Sequence, residues 1–180
     1  VRSFAASDNP DIAWRARRAL AARGLVDAGA IEAWRSADGS GEAARMSVEA
    51  LASLPIEEAR RHAWESVYSE TLSNDFLTAT LAGLQASSWE GEPGIEAAVD
   101  RLRSYWESHT IGMALRYANG VLAYGLDSDR DGSVSRSVGL LRSWLDTNSD
   151  APAQLRRIVI EHLDAFERDE RVQRRWKQDQ

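Results

Sequence analysis

The sequence predicts an all-α chain: an α-α superhelix of about nine antiparallel helices, HEAT-like or armadillo-like in stacking. Three observations carry that expectation. Apolar residues recur at three- and four-residue spacing along most of the chain, the period of a helix with one buried face. No run alternates apolar and polar residues with period two, and no hairpin signal is present. Short breaks rich in Asn, Asp, Ser, Pro and Gly separate the periodic stretches, which is cap and turn chemistry. Helix lengths are irregular, so this is a repeat by shape and not by residue identity.

Asn9-Pro10-Asp11 opens the first helix: a cap, a proline at the first helical position and an acid in the first turn. Ile12, Ala16, Ala19 and Leu20 form its expected inward stripe, and Gly24 ends it. Asp27 starts a second helix with Ile31 and Trp34 inward, closed by the loop Ala37-Asp38-Gly39-Ser40-Gly41. A third helix has Ala44, Val48 and Leu51 on its inner face. The stretch from Pro55 to Gln85 holds the organising pair. Ile56, Ala59, Ala63, Trp64 and Val67 share one helix face; Phe76, Leu77, Leu81 and Leu84 share the next. Thr71, Ser73 and Asn74 supply the break, and so short a connection forces the two helices antiparallel.

A turn-rich connection follows from Ser87 to Gly94, containing Trp89 and Pro93. The sixth helix carries Ile95, Val99, Leu102 and Trp106; the seventh carries Ile111, Ala114, Leu115, Ala118 and Leu122. After the polar loop from Gly125 to Ser133, the eighth shows Val138, Leu141 and Leu145. Asn148 to Asp150 cap the last helix, with Pro152 in its first turn. Leu155, Ile158, Val159, Leu163 and Phe166 are core-like there. Beyond Glu167 the helix is mostly charged, with Glu167/Arg171 and Glu170/Arg174 at the spacing that supports an exposed helix, and Val172 and Trp176 keep a thin apolar stripe.

The chain's 180 residues suffice for a single helical domain spanning 1–180. Seven tryptophans need burial along most of their rings and favour a packed fold over disorder. Trp14, Trp64, Tyr105, Trp106, Tyr117, Tyr124 and Trp144 are expected in the core, whereas loop-borne Trp89 is expected at a surface or interface. A net charge of −6 argues against nucleic acid as a partner. No apolar run reaches the roughly 20 residues of a membrane span. The absence of cysteine and of a signal peptide fits a cytoplasmic protein, and the missing initiator Met suggests a fragment or a processed chain.

Zinc peptidase chemistry on a helix needs two imidazoles one turn apart with a glutamate between them. His62, His109 and His162 are 47 and 53 residues apart, so no zinc ligand set or catalytic residue is assigned. Asp127, Asp129 and Asp131, followed by Gly132, match the first half of a calcium loop. Val138 stands where the bidentate acid belongs, so these are weak calcium candidates beside the alternative of an acidic solvated loop. No Gly-x-Ser-x-Gly nucleophile and no phosphate-binding glycine loop is present. Arg15, Arg17, Arg18 and Arg23 read mainly as a solvated face; a few arginines, Arg156 and Arg157 among them, could meet a peptide carboxylate or another domain.

Ala63-Trp64 in a charged helix, then Leu72-Ser73-Asn74, then an apolar helix ending Gly83-Leu84-Gln85 resembles the C-terminal helical domain of aminopeptidase N-type zinc metallopeptidases, most closely the actinobacterial branch. Tyr105-Trp106-Glu107-Ser108 and the stretch from Asp150 through Pro152 and Arg156-Arg157 to Glu161 extend the resemblance over Arg15 to Trp176. The resemblance implies a non-catalytic domain that covers the catalytic domain of the same polypeptide and shapes peptide access. The parent would remove N-terminal residues from peptides with one zinc ion held elsewhere, and Arg156, Arg157 and Trp89 would be peptide or interdomain contacts. The family's Gly-x-Met-Glu-Asn loop is missing, and the Asp127–Asp131 loop is longer than the family pattern. The alternatives are a stand-alone helical-repeat scaffold for a protein partner and a calcium-responsive module.

Overall fold

The computed structural model describes residues 2–69, 71–86, 95–123 and 133–178. Among them every regular element is helical: a 3-10 turn, Arg2–Ala6, then α1 Pro10–Ala21, α2 Ala28–Asp38, α3 Gly41–Ala52, α4 Glu57–Val67, α5 Asn74–Ala86, α6 Ile95–Asp100, α7 Leu102–Ser108, α8 Ile111–Ala123, α9 Ser133–Thr147 and α10 Ala153–Gln178. The chain divides into two compact units, Val1–Gly94 and Ile95–Gln180.

Caps account for the helix starts. The Asn9 side chain accepts from the N–H groups of Asp11 and Ile12, and Asp27 accepts from Ala30. Ser40 serves Ala43, and the Ser73 hydroxyl accepts from Phe76 N–H. Each satisfies a donor that a helix start leaves orphaned. Gly39 closes α2 with φ of 64°, the left-handed conformation in which glycine has no Cβ to clash.

In the first unit alternate helices lie beside each other. α1 packs on α3 and α3 on α5, while α2 and α4 pack against the same row. α3 therefore meets four helices and has no broad solvent face. This corrects the expected stripe: Ala44, Val48 and Leu51 are half-buried, while Ala43, Ser47, Glu49, Ala50 and Ala52 are buried. The main partner of α5 is α3 rather than its hairpin mate α4. The contact is close because α5 presents Gly83, where a Cβ would stand 2.3 Å from the Glu49 carbonyl oxygen and 2.7 Å from the Ala52 Cβ. On α1 the buried side turns toward Ala13 and Trp14, leaving Ile12 exposed; the indole dictates the orientation because its Nε1–H donates to Asp38 on α2 at 3.0 Å. Ile56 is exposed as well, because it is the cap residue of α4 and lies before the first turn.

The second unit repeats the arrangement. α6 packs on α8 and α8 on α10, with α7 against α8 and α9 against α10. The expected sixth helix is two helices, so the described residues hold ten α-helices. The interruption falls at Arg101, within the turn after Ala98, whose carbonyl accepts a hydrogen bond from the buried Tyr117 hydroxyl at 2.8 Å. Ile111 is exposed at the first position of α8, whereas Met113, Ala114, Tyr117, Ala118, Val121 and Leu122 are buried. Leu155, Ile158, Val159, Leu163 and Phe166 of α10 are buried as the sequence expects. Trp14, Trp64, Tyr105, Tyr117 and Trp144 are core residues, and Trp106 is half-buried.

Candidate functional site

Trp89, Tyr124, Asp127, Asp129 and Asp131 lie outside the described residues. Arg156 and Arg157 sit in the first turns of α10 and have different surroundings. The Arg156 side chain runs back to the C-terminal end of α9, where its Nη1 donates to the carbonyls of Leu145 at 2.8 Å and Asn148 at 2.6 Å. A cation there satisfies orphaned carbonyls and meets the negative end of the α9 dipole. Arg157 is exposed and donates to Glu161 one turn on, at 2.8 Å. The two neighbours are not brought together: one locks the α9–α10 connection, the other lies on the surface.

Nearby, Arg103 of α7 forks onto Asp150, with bonds of 2.8 and 3.2 Å, and also donates to Glu107. The bidentate guanidinium holds the Asp150 carboxyl below its usual range. The loop before α10 is thus tied to α7, and Asp150 is engaged in that link.

The three histidines lie apart. His62 is exposed on α4. His109 follows α7, its ring stacked 3.8 Å from Tyr105, which stacks in turn 3.9 Å from Tyr117. Its Nδ1 is 2.9 Å from the Ser108 hydroxyl and 3.1 Å from the Tyr105 carbonyl. In the tautomer with the proton on Nδ1, that nitrogen donates to the Tyr105 carbonyl and does not accept from Ser108. The Ser108 hydroxyl also reaches the Ser104 carbonyl, at 2.7 Å. The pair resembles a nucleophile and base by adjacency but is hydrogen-bonded as a helix terminus. His162 on α10 faces Asn119 of α8, Nε2 to Oδ1 at 3.4 Å, and burial lowers its pKa while Glu161 opposes the shift. Among the described residues no group of three His, Cys, Asp or Glu side chains is placed to hold a metal ion.

Of the N-terminal basic group, Arg17 lies 4.8 Å from the Trp14 ring and 5.2 Å from the Trp34 ring, and its Nε–H donates to the Ala5 carbonyl. Arg18 pairs with the buried Glu49 of α3, which Arg45 also approaches at 4.0 Å. These arginines join α1 to its neighbours; the sequence shows them only as a charged face.

Several large apolar side chains are exposed, Phe4 and Ile160 singly and two groups besides. Gly24, with φ of 63°, meets the Pro55 ring at 3.3 Å from its would-be Cβ. That contact brings together two chain segments whose next residues, Leu25 and Ile56, are each 49% exposed. The sequence gives no sign of this knuckle, since its halves are 31 residues apart. On α10, Val172 and Trp176 are each 67% exposed, so the thin stripe expected from the sequence finds no cover within its own unit.

No protein-family model matches this chain, and no curated protein matches it. No helix among the described residues is long and apolar enough to cross a membrane.

Proposed function

We propose that this chain is a non-catalytic helical docking domain, and that it serves as the C-terminal domain of a zinc-dependent aminopeptidase of the N type in the cytoplasm. The observation that supports this reading is the row of alternate helices, α1–α3–α5 and α6–α8–α10. That is the arrangement of helical-repeat proteins, which act by offering surface to a partner. The titratable groups support it too: Arg17, Arg18, Arg103 and Arg156 are engaged in joining helices. The identity of the parent rests on the sequence resemblance from Arg15 to Trp176. In this reading zinc belongs to the catalytic domain of the same polypeptide, peptides are its substrates, and exposed groups such as Arg157 and the Leu25–Ile56 knuckle are the surfaces offered to that domain or to a peptide's far end.

The test is the size of the native polypeptide, by immunoblot of source lysate with an antibody against the purified chain. A band several times larger than 19.9 kDa that co-precipitates with chelator-sensitive aminopeptidase activity is the expected result. A band at 19.9 kDa overturns the parent assignment and leaves the second reading, a stand-alone helical scaffold.

A further inference from the structure

The C-terminal half of α10 is segregated in charge. From Glu161 to Glu170 there are five acids and one arginine, a net of −4; from Arg171 to Lys177 there are four bases and no acid, a net of +4. Intrahelical pairs use part of this charge, Glu167 with Arg171 and Glu170 with Arg174. Asp164, Arg168, Asp169 and Arg175 make no ion pair within the described residues. At about 100° per residue, Ala165, Val172 and Trp176 fall within roughly 40° of one line, about a quarter-turn from the core-facing Phe166. Glu161, Asp164, Arg168 and Arg175, all exposed, flank that line on one side and exposed Asp169 lies on the other. Exposed Arg171 lies further round on the side of Arg175, while Arg174 points away from the line. Around the stripe Glu161, Asp164 and Asp169 outnumber Arg168 in one half, and Arg171 and Arg175 make the other half basic.

We infer that this face docks a second copy of the chain, α10 against α10 in antiparallel order, with a two-fold axis near Glu170. Antiparallel pairing lays each acidic stretch over the other copy's basic stretch. Parallel pairing sets like charge on like, and charge arrangement of this kind selects orientation and partner. A two-fold interface is self-complementary, and a helix that carries both signs in adjacent segments meets that requirement without a second surface. The described overlap, 161 to 178, is about 27 Å long, one helix face per copy, the scale of small, reversible interfaces. Trp176, capped by Val172, supplies its apolar anchor. The inference does not rest on the aminopeptidase reading and concerns a different face from the Leu25–Ile56 knuckle.

The experiment is sedimentation velocity on the purified chain from about 1 µM to about 1 mM, a range that spans weak association, at low and at 1 M salt. A dimer that forms within this range and dissociates at 1 M salt, where the screening length falls to about 3 Å, is expected. Trp176→Ala weakens it by about tenfold or more. One variant carries Arg171→Glu and Arg175→Glu; another carries Glu161→Lys, Asp164→Lys and Asp169→Lys. Each alone is monomeric, and mixing the two restores a heterodimer, a result that a misfolded variant cannot give. A wild-type chain that stays monomeric at about 1 mM, a dimer indifferent to Trp176→Ala, or a mixture that stays monomeric overturns the inference.

Discussion

Gly83→Ala tests the packing of α3 on α5. The new Cβ would stand 2.3 Å from the Glu49 carbonyl oxygen and 3.1 Å from its carbonyl carbon. A relaxed carbon-to-carbonyl contact is about 3.3 Å or more, so the two helices must part by about 1 Å along that line. Both contacting groups belong to the α3 backbone or to a short Ala52 side chain, and neither can swing away. Overpacking of this kind costs about 1–3 kcal/mol, and a backbone collision belongs at the upper end. The alanine recovers about 1 kcal/mol of helix propensity, leaving a net loss of about 2 kcal/mol. The melting temperature should fall by about 4–8 °C if the chain melts as one unit, and by more if the first unit melts alone. The control is Gly139→Ala in α9, where the added Cβ meets nothing within 4 Å and the exposed site gains only propensity, up to about 1 kcal/mol. Thermal melts of both variants by circular dichroism decide it. If Gly83→Ala stabilises as Gly139→Ala does, the close α3–α5 approach is refuted.

Adjacent arginines should respond unequally: Arg156→Met, which leaves two carbonyls of the α9 end without their donor, is expected to cost about 1–3 kcal/mol, whereas Arg157→Ala removes one exposed pair worth at most about 0.5 kcal/mol. Urea titrations measure both, and equal losses would contradict the capping role of Arg156. Tyr117→Phe removes the hydroxyl that serves Ala98 and should destabilise by about 1–2 kcal/mol, read in the same titration. Because burial holds the folded pKa of His162 below its unfolded value, its contribution is intact above the unfolded pKa near 6.5 and is lost as pH falls through the folded one. His162→Gln should therefore flatten the decline of the melting temperature below about pH 6.5; an unchanged slope would show that this imidazole does not titrate with folding.

Local chemistry was the most legible part of the fold. Asn9, Asp27 and Ser73 announce helix starts because a cap acts on backbone groups two or three residues away. Leu77, Leu81 and Leu84 of α5 and the buried residues of α10 also follow from their spacing, whereas Phe76 is half-buried and Ala79, Thr80 and Gly83 are buried outside the expected stripe. The inner face of α3 does not, because a helix that meets four neighbours buries small residues all round and loses the amphipathic pattern. The break before α7 is equally hidden, since the hydroxyl that serves Ala98 comes from a tyrosine 19 residues later. At the candidate site the sequence offered Arg156 and Arg157 as equals. Only the turn of the chain before α10, which carries the Arg156 side chain back to the carbonyls of α9, separates them. The knuckle of Leu25 and Ile56 likewise exists only once Gly24 reaches Pro55.

The most direct test of the docking-domain account is turnover by the purified chain. It should be incubated with a panel of aminoacyl-4-nitroanilides and short peptides, with and without added zinc, beside its melting curve as proof of folding. The account predicts a folded chain that releases no product under either condition. Hydrolysis that needs zinc and stops on addition of a chelator would contradict it.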